Sequence, residues 1–221
     1  MRLNKYLAAS TSLSRRKADE AIAAGRVSVN GHTAEQGQEV SEADVVTLDD
    51  RTVKAAATTI TIMFNKPRGY VVSRNGQGSQ TIYELLPPDC QRLNSVGRLD
   101  KDSSGLLLLT NDGQLAQELT HPSRQKVKVY EVALDKPLQP LHRQMISDHG
   151  LQLEDGLSKL QLERQLDGDD TRWMVRMHEG RNRQIRRTFA ALGYSVTRLH
   201  RTQFGDYSLG SLGLGSCLRL S

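Results

Sequence analysis

Cysteine is scarce in this chain of 221 residues, which contains only Cys90 and Cys217. They form no C-x-x-C pair and cannot build a conventional zinc site with nearby histidines, so we interpret them as buried or free thiols. The six histidines are scattered without the spacing of metal ligands, and no glycine-rich phosphate loop of either common type is present. The sequence therefore predicts neither a metal nor an organic cofactor.

Long apolar runs are missing as well. No apolar stretch is long enough to span a bilayer, and the opening MRLNKYLAAS lacks the apolar region of a signal peptide. We therefore expect no membrane association and a cytoplasmic location. The formal net charge is +5, which weakly favours a polyanionic partner. The length leaves room for one large domain, or for a small domain with a medium one.

The first part of the chain, residues 1–50, is predicted to form a small unit of its own. Two short helices are followed by strands; Ser14 can cap the second helix and Gly25 ends it. The alternating segment RVSVNGHTA then predicts a hairpin with a tight turn at 30–31. Residues 51–59 have no apolar period, and we interpret them as a linker.

Charge is unevenly distributed within this small unit. Residues 1–34 contain six Lys or Arg and two Asp or Glu, whereas residues 35–50 contain six acids and no Lys or Arg. Arg15, Arg16 and Lys17 fall in the first turn of the second helix, where they oppose the helix dipole. A sequence that accepts this cost is expected to use the charges for binding.

Residues 60–221 are predicted to form a larger domain, whose strands and segregated helices indicate an α+β fold. The leucine run at 106–109 predicts a buried strand, and KVKVYEVAL at 126–134 alternates strictly, as a half-exposed strand does. Two further strands flank a turn at 167–168, and RNRQIRRTFAALG predicts a helix over 181–193.

The stretch VGRLDKDSSGLLLLTNDG places charged side chains directly before the leucine strand. Its polar turn carries Arg98, Asp100 and Lys101, and loops held by rigid cores are where reacting side chains tend to lie. A lone loop aspartate is more often a turn former. An aspartate beside arginine, however, stays ionised and can attack, or stabilise positive charge at, a sugar carbon. No second carboxylate is an obvious partner, which favours a single-carboxylate reaction on a glycosidic bond.

Arginine is concentrated near the C-terminal helix. Residues 174–201 contain seven arginines and one acid, Glu179, and arginine binds phosphate bidentately and stacks on bases. Arg183, Arg186 and Arg187 lie within one predicted turn beside an apolar stripe, so at least one should lie where the core meets the surface. From there it can reach a partly buried carboxylate. The ordinary alternative is a solvated basic face.

Tyr130 lies in the alternating strand, where a tyrosine is about as often a packing residue as a binding one. It shares a side of the strand with Lys126 and Lys128. On such a basic surface Tyr130 could stack on a base, and stacking contributes about 1–3 kcal/mol per base.

Three motifs in this order, VGRLDKDSSGLLLLTNDG, KVYEV and EGRNRQIRR, resemble the pseudouridine synthases of the RsuA/RluB type, which modify bacterial ribosomal RNA. The segment RLNKYLAASTSLSRRKADEAIAAGRVSVNG resembles the small alpha-L, or S4-like, RNA-binding domain that these enzymes carry. The resemblance covers essentially the whole chain. It implies an S4-like domain at 1–50, a linker at 51–59 and, at 60–221, a catalytic domain with a mixed, mostly antiparallel sheet.

The resemblance also implies a role for individual residues. Asp100 corresponds to the aspartate that attacks the target nucleoside after the nucleoside is flipped out of the RNA; uracil then rotates and rejoins the sugar through carbon five, without a cofactor. Tyr130 corresponds to the tyrosine that stacks on the target base, and Arg186 to the basic residue that pairs with the aspartate. Arg98 corresponds to the arginine that fills the place of the flipped base.

Ribosomal RNA or a ribosomal assembly intermediate is therefore the expected partner of a monomeric enzyme. The segments GLQLEDG and HPSR resemble large-subunit enzymes somewhat more than small-subunit enzymes. Two alternatives remain open: a non-catalytic RNA-binding assembly factor, and a glycosidase that releases free base. The basic side chains that we predict to contact RNA are Lys5, Arg15, Arg16, Lys17, Arg26, Lys66, Arg181, Arg183 and Arg187.

Overall fold

The computed structural model describes residues 1–11, 13–54, 59–164 and 169–220. The chain divides into two compact units. The N-terminal unit comprises Met1–Ile60 with Asn111–Gly113, and the second unit comprises Thr61–Thr110 with Gln114–Ser221. Within the described ranges, no helix is long and apolar enough to cross a membrane.

The N-terminal unit contains two helices, α1 (Leu3–Ser10) and α2 (Arg15–Ala23), and a four-stranded sheet of order β2-β1-β3-β4. Its strands are β1 (Val27–Val29), β2 (His32–Thr33), β3 (Val46–Leu48) and β4 (Arg51–Thr52). The predicted cap of the second helix is confirmed, because the Ser14 side chain accepts a hydrogen bond from the Lys17 amide at 3.2 Å. Apolar side chains of both helices and of β1 and β3 form the core of the unit.

The start of the segment 51–59 is a strand, so the linker prediction is wrong for its first two residues. Arg51 and Thr52 form β4 and pair with β3 in an antiparallel register. The next residue is also held, because the Val53 carbonyl accepts a hydrogen bond from the Tyr6 hydroxyl at 2.9 Å. Backbone pairing at a sheet edge needs no apolar periodicity, which explains why the sequence pattern missed it. Residues 55–58 lie outside the described residues.

The second unit consists of a large sheet, a small hairpin and short helices. Its strands are β5 (Thr61–Lys66), β6 (Asn94–Val96), β7 (Ser104–Thr110), β8 (Lys128–Leu134), β9 (Leu151–Leu153), β10 (Gly156–Ser158), β11 (Gln161–Arg164), β12 (Arg172–Met177), β13 (Val196–Phe204), β14 (Tyr207–Ser208) and β15 (Cys217–Arg219). Its helices are α3 (Gly113–Thr120), α4 (Pro140–Gln144), which continues as a π-helical turn over Met145–His149, and α5 (Gln184–Ala190), with 3₁₀ turns at Ile82–Leu85 and Pro122–Arg124.

The large sheet is mixed and mostly antiparallel, which confirms the predicted fold class. Over the described residues it contains nine strands, in the order β11-β12-β8-β13-β7-β5-β15, with β14 paired to β13 and β6 paired to β7. The β13–β7 pair is parallel, and the other pairs are antiparallel. The separate hairpin is formed by β9 and β10.

Strand β7 is buried along its whole length, which confirms the buried strand predicted from the leucine run. It lies between β13 and β5 near the middle of the sheet, and all six residues of β5 are buried as well. A loop that enters β7 is therefore anchored in a buried strand near the middle of the sheet.

Two sequence expectations differ from the observed elements. Strand β8 lies between β12 and β13, and both Val129 and Tyr130 on its opposite faces are buried, so the half-exposed strand is wrong at this end. The helix predicted over 181–193 begins only at Gln184. The predicted turn at Asp167 and Gly168 lies outside the described residues, although the strands on either side, β11 and β12, do pair.

Candidate active site

Asp100 lies in the loop between β6 and β7, in the wall of a pocket of about 1180 Å³ in the second unit. Its side chain is 32% exposed, and its Oδ2 lies 3.7 Å from Nη1 of Arg183. The same Nη1 lies 3.9 Å from Oδ2 of Asp102. One guanidinium therefore faces two carboxylates of the loop, of which Asp100 is the less exposed and lines the pocket.

Lys66 fixes the backbone of this loop from inside the protein. It ends β5, is fully buried, and its Nζ donates hydrogen bonds to the carbonyls of Ser103 at 2.8 Å and Asp100 at 3.1 Å. Burial lowers the pKa of Lys66 to about 8, although the carboxylates of Asp100 and Asp102 favour its charged form. The predicted RNA contact of Lys66 is wrong, because a fully buried ammonium cannot reach a phosphate. Its role is to hold the segment that carries Asp100.

Arg186 holds the other side of the loop, through backbone atoms. Its Nη1 donates to the Val196 carbonyl at 2.7 Å and its Nη2 to the Asp102 carbonyl at 3.1 Å. Burial lowers the pKa of Arg186, and so does the neighbouring Arg183, while Asp102 and Asp100 oppose the shift. Arg186 therefore lies near the carboxylates. Nevertheless, Arg183 rather than Arg186 supplies the ion pair to Asp100, so the predicted Arg186–Asp100 pairing is replaced in this structure.

The position of Arg183 follows from the late start of α5. Arg183 is the residue before the helix and has left-handed backbone angles, φ 48° and ψ 28°, which are uncommon outside glycine. Had the helix run from residue 181 as predicted, Arg183 would have had helical angles. The sequence alone could not show which of the neighbouring arginines faces Asp100.

Tyr130 and Arg98 line the same pocket as Asp100. Tyr130 is 8% exposed and pairs with Val175 of β12 and Arg201 of β13. Arg98 is exposed and precedes Asp100 by two residues in the loop. Of the four predicted substrate-site residues, the structure brings Arg98, Asp100 and Tyr130 to one pocket. The fourth, Arg186, binds the backbone of the loop at Asp102.

Arg181 and Arg187 form a structural cluster with the β9–β10 hairpin. Asp155 accepts from Arg181 Nη1 through Oδ1 at 2.9 Å, and from Arg187 Nη2 through Oδ2 at 2.6 Å. Arg181 also donates to the Leu157 carbonyl at 2.8 Å. The hydrogen bond from Arg187 is the main cause of the lowered pKa of Asp155. Because both guanidinium groups are engaged, this geometry does not support the RNA contacts predicted for Arg181 and Arg187.

The predicted basic residues of the N-terminal unit lie mostly at its surface. Arg15, Arg16 and Lys17 are exposed, and Lys17 forms an ion pair with Glu20 at 2.8 Å. Arg26 is exposed and pairs with Asp49 at 2.5 Å. Lys5 is half-buried. The first turn of α2 is therefore an exposed basic surface of this unit.

Sequence reasoning missed Arg201 and gave Lys128 no role beyond a basic surface. Both line the pocket with Tyr130. Arg201 had a weak signal, since it lies two residues after Leu199 in a strand and therefore on the same side as that buried leucine. Elsewhere, the described residues contain no group of three or more His, Cys, Asp or Glu side chains that could hold a metal ion.

Comparisons with known proteins cover both units. Residues 60–191 match the family described as RNA pseudouridylate synthase, and residues 1–46 match the S4 domain. A solved structure described as a crystal structure of pseudouridylate synthase is similar, with a TM-score of 0.70 and 32% identity, covering 100% of this chain and 96% of that chain.

Two curated relatives illustrate the range of named substrates. Ribosomal large subunit pseudouridine synthase B of Xanthomonas campestris is 38% identical over 219 residues, covering 94% of this chain and 44% of that protein. Ribosomal small subunit pseudouridine synthase A of Pasteurella multocida is 36% identical over 211 residues, covering 95% of this chain and 90% of that protein. The chain thus spans less than half the length of the first relative and most of the second.

Proposed function

Since the chain belongs to the RNA pseudouridylate synthase family, we propose that it converts a uridine of ribosomal RNA to pseudouridine, with Asp100 as the catalytic residue. The family matches confirm the enzyme class and the S4 domain predicted from the sequence. The observation that carries the proposal is the position of Asp100: a partly exposed carboxylate beside Arg183, lining one pocket with Tyr130.

In this proposal the reaction uses a single carboxylate, that of Asp100. A carboxylate oxygen of Asp100 attacks the sugar carbon that bears the base and forms a C–O bond to it, while the bond from that carbon to N1 of uracil breaks. The base then rotates while it stays in the pocket. Carbon five of uracil then bonds to the sugar, carbon five loses its proton, N1 ends protonated and the carboxylate is released. Atoms and electrons balance without a further reactant. Arg183 pairs with the Asp100 carboxylate, and Lys66 keeps the Asp100 backbone fixed.

Tyr130 and Arg98 hold the extruded nucleotide in this proposal. Extraction of a base costs a few kcal/mol of stacking, and a stack on Tyr130 offsets about 1–3 kcal/mol of that cost. Tyr130 is fixed by pairing on both edges of β8, which supports its use as a rigid surface for a base. Arg98 is exposed on the same loop as Asp100, as a residue that occupies the space left in the RNA must be.

The N-terminal unit supplies additional affinity in the same proposal. The exposed residues Arg15, Arg16 and Lys17 contact backbone phosphates, as their surface position allows. The enzyme acts as a monomer on ribosomal RNA or on an assembly intermediate. We place the target uridine in large-subunit RNA because of the segments GLQLEDG and HPSR, although relatives named for either subunit are about equally similar.

The test is to map pseudouridines in both ribosomal RNAs from cells that lack this protein and from the same cells that carry the wild type or Asp100→Asn. We expect one site, or a few sites, to disappear in the deletion, to return with the wild type and to stay absent with Asp100→Asn. An unchanged map in the deletion strain would favour the non-catalytic assembly factor. Restoration by Asp100→Asn would remove Asp100 from the mechanism.

A further inference from the structure

Arg201 is a buried cation whose guanidinium is only partly satisfied by the protein. It lies in β13 and is 2% exposed. Its Nε donates to the Leu106 carbonyl at 2.8 Å, whereas its buried Nη2 has no hydrogen-bond partner within the described part of the chain. Among the described residues, no carboxylate lies within 4.0 Å of this guanidinium. A buried charge without an anion is costly, so an unpaired guanidinium at the pocket indicates a missing partner.

The backbone of Arg201 packs closely against the neighbouring strand β7. Gly105 of β7 pairs with Arg201 in the parallel part of the sheet. A Cβ on Gly105 would lie 2.2 Å from the Arg201 carbonyl oxygen, so only glycine permits this approach. The guanidinium carbon lies 4.9 Å from the centroid of the Phe204 ring, within the range of a cation–π contact. Arg201 is therefore held at the pocket wall.

Lys128 places a second cation on the same wall. It precedes Tyr130 by two residues on β8, so both side chains point to the pocket face. Its Nζ lies 5.4 Å from the Phe204 centroid and donates one long hydrogen bond, 3.3 Å, to the Lys126 carbonyl. Burial lowers the pKa of Lys128, the nearby Arg201 lowers it further, and Glu179 opposes both. Two like charges thus lie close to one aromatic ring.

We propose that Lys128 and Arg201 form a subsite for a phosphate group of the RNA strand, beside Tyr130 and separate from the arginines around Asp100. This proposal rests on the proposed function, since it requires RNA in this pocket. The negative charge of a phosphate offsets the repulsion between the two cations. A neutral uracil carbonyl would offset this repulsion far less. Lys128, which is half-buried, donates directly to the phosphate, and the buried Arg201 contributes through its charge at short range.

Lys126 lies at the rim of this subsite and does not replace Lys128. Its ammonium is 3.9 Å from carboxylate oxygens of both Glu118 and Asp206. Its charge is therefore already opposed by two acids, whereas no carboxylate among the described residues comes within 4.0 Å of Lys128 Nζ. The proposal assigns the phosphate to Lys128 for this reason.

The experiment measures the binding of a hairpin RNA that contains the mapped target uridine and carries a neutral methylphosphonate at one linkage at a time. Binding is measured in an Asp100→Asn background, so that no reaction occurs. We expect that a methylphosphonate at one linkage next to the target uridine weakens RNA binding about tenfold. This is the effect of losing one charge-assisted hydrogen bond. After Lys128→Met, the same neutralisation should have no further effect. Lys136→Met is the matched control, since Lys136 is exposed, follows the other end of β8 and contacts Tyr194 outside the pocket.

Arg201 is tested by Arg201→Lys and Arg201→Met, each with its thermal unfolding temperature. The lysine variant keeps the charge, so neutralising the sensitive linkage should still cause at least half of the affinity loss seen without the substitution. In a folded methionine variant most of that affinity loss should disappear. If the methionine variant does not fold, the Lys128→Met result decides alone. The subsite is overturned if, at every linkage, neutralisation weakens the binding of Lys128→Met as much as it weakens binding without that substitution. This holds even if the wild-type enzyme isomerises the hairpin. A wild-type enzyme that isomerises no ribosomal RNA contradicts the proposed function, and the subsite fails with it.

Discussion

Lys66 and Arg201 are both buried cations of the second unit, but the protein compensates their charges to different extents. Lys66 donates to the carbonyls of Pro67, Asp100 and Ser103 at 2.8–3.1 Å. Arg201 donates through Nε to one carbonyl, and its Nη2 stays unpaired within the described chain. Lys66, which is satisfied, holds the loop that carries Asp100, and Arg201, which is not, lies where the proposed function expects substrate. This difference between the two cations, together with the absence of a carboxylate within 4.0 Å of Arg201 among the described residues, is the basis of the proposed phosphate subsite.

The largest effect that would sharpen this contrast is expected from Lys66→Met. The loop carbonyls would lose their donor, so we expect the free energy of unfolding to fall by about 2 kcal/mol at pH 7. Activity should fall about 100-fold, because Asp100 would no longer be held in position. Chemical denaturation and the rate of pseudouridine formation measure the two effects. Lys101→Met, which removes an exposed lysine of the same loop, should change stability by less than about 0.5 kcal/mol; equal losses in both variants would contradict the role of Lys66.

A smaller effect concerns the pH dependence of stability. The pKa of Lys66 is lowered from 10.5 to about 8 in the folded chain, so between these values the unfolded chain binds more protons than the folded chain at this residue. Stability then rises with pH in that window. The stability of the wild type relative to Lys66→Met should therefore increase from pH 8 to pH 10. A pH-independent difference for Lys66 would contradict its lowered pKa.

The smallest effect concerns exposed charges, which contrast with both buried cations. Replacement of Arg15, Arg16 and Lys17 together by alanine should reduce the slope of log affinity against log salt by about two. Arg26→Gln should change the slope by less than one, because Asp49 already pairs with Arg26. Affinity for the hairpin and for full-length ribosomal RNA, measured between low and moderate salt, gives both slopes. An unchanged slope in the triple variant removes this surface from RNA binding.

The sequence predicted the elements that depend on local patterns. The run of four leucines located β7, and the Ser14 cap located the start of α2, because both follow from neighbouring residues. The loop of Asp100 could be identified for the same reason, since polar residues stand directly before a buried run. The order of the motifs indicates an S4-like unit followed by a pseudouridine synthase domain, and the family matches confirm both.

The sequence could not predict contacts that join distant segments. Lys66 is buried because carbonyls more than thirty residues away converge on its ammonium, whereas lysine in a sequence indicates an exposed side chain. Arg183, and not the predicted Arg186, is the ion partner of Asp100. This depends on where α5 begins, because residues before the helix have other backbone angles than residues within it. The sequence could not distinguish Arg181 and Arg187 from arginines that bind RNA, because their partner Asp155 lies about thirty residues away in the β9–β10 hairpin.

Asp100 and Asp102 provide the most direct test, because both carboxylates lie within 4.0 Å of the same Arg183 nitrogen. The measurement is pseudouridine formation on the mapped ribosomal RNA segment under single-turnover conditions by the wild type, Asp100→Asn and Asp102→Asn. We predict no detectable product with Asp100→Asn and a rate within about tenfold of the wild type with Asp102→Asn, which removes only an exposed neighbour. Product formation at the wild-type rate by Asp100→Asn, or loss of product with Asp102→Asn alone, would contradict the assignment of the reacting carboxylate.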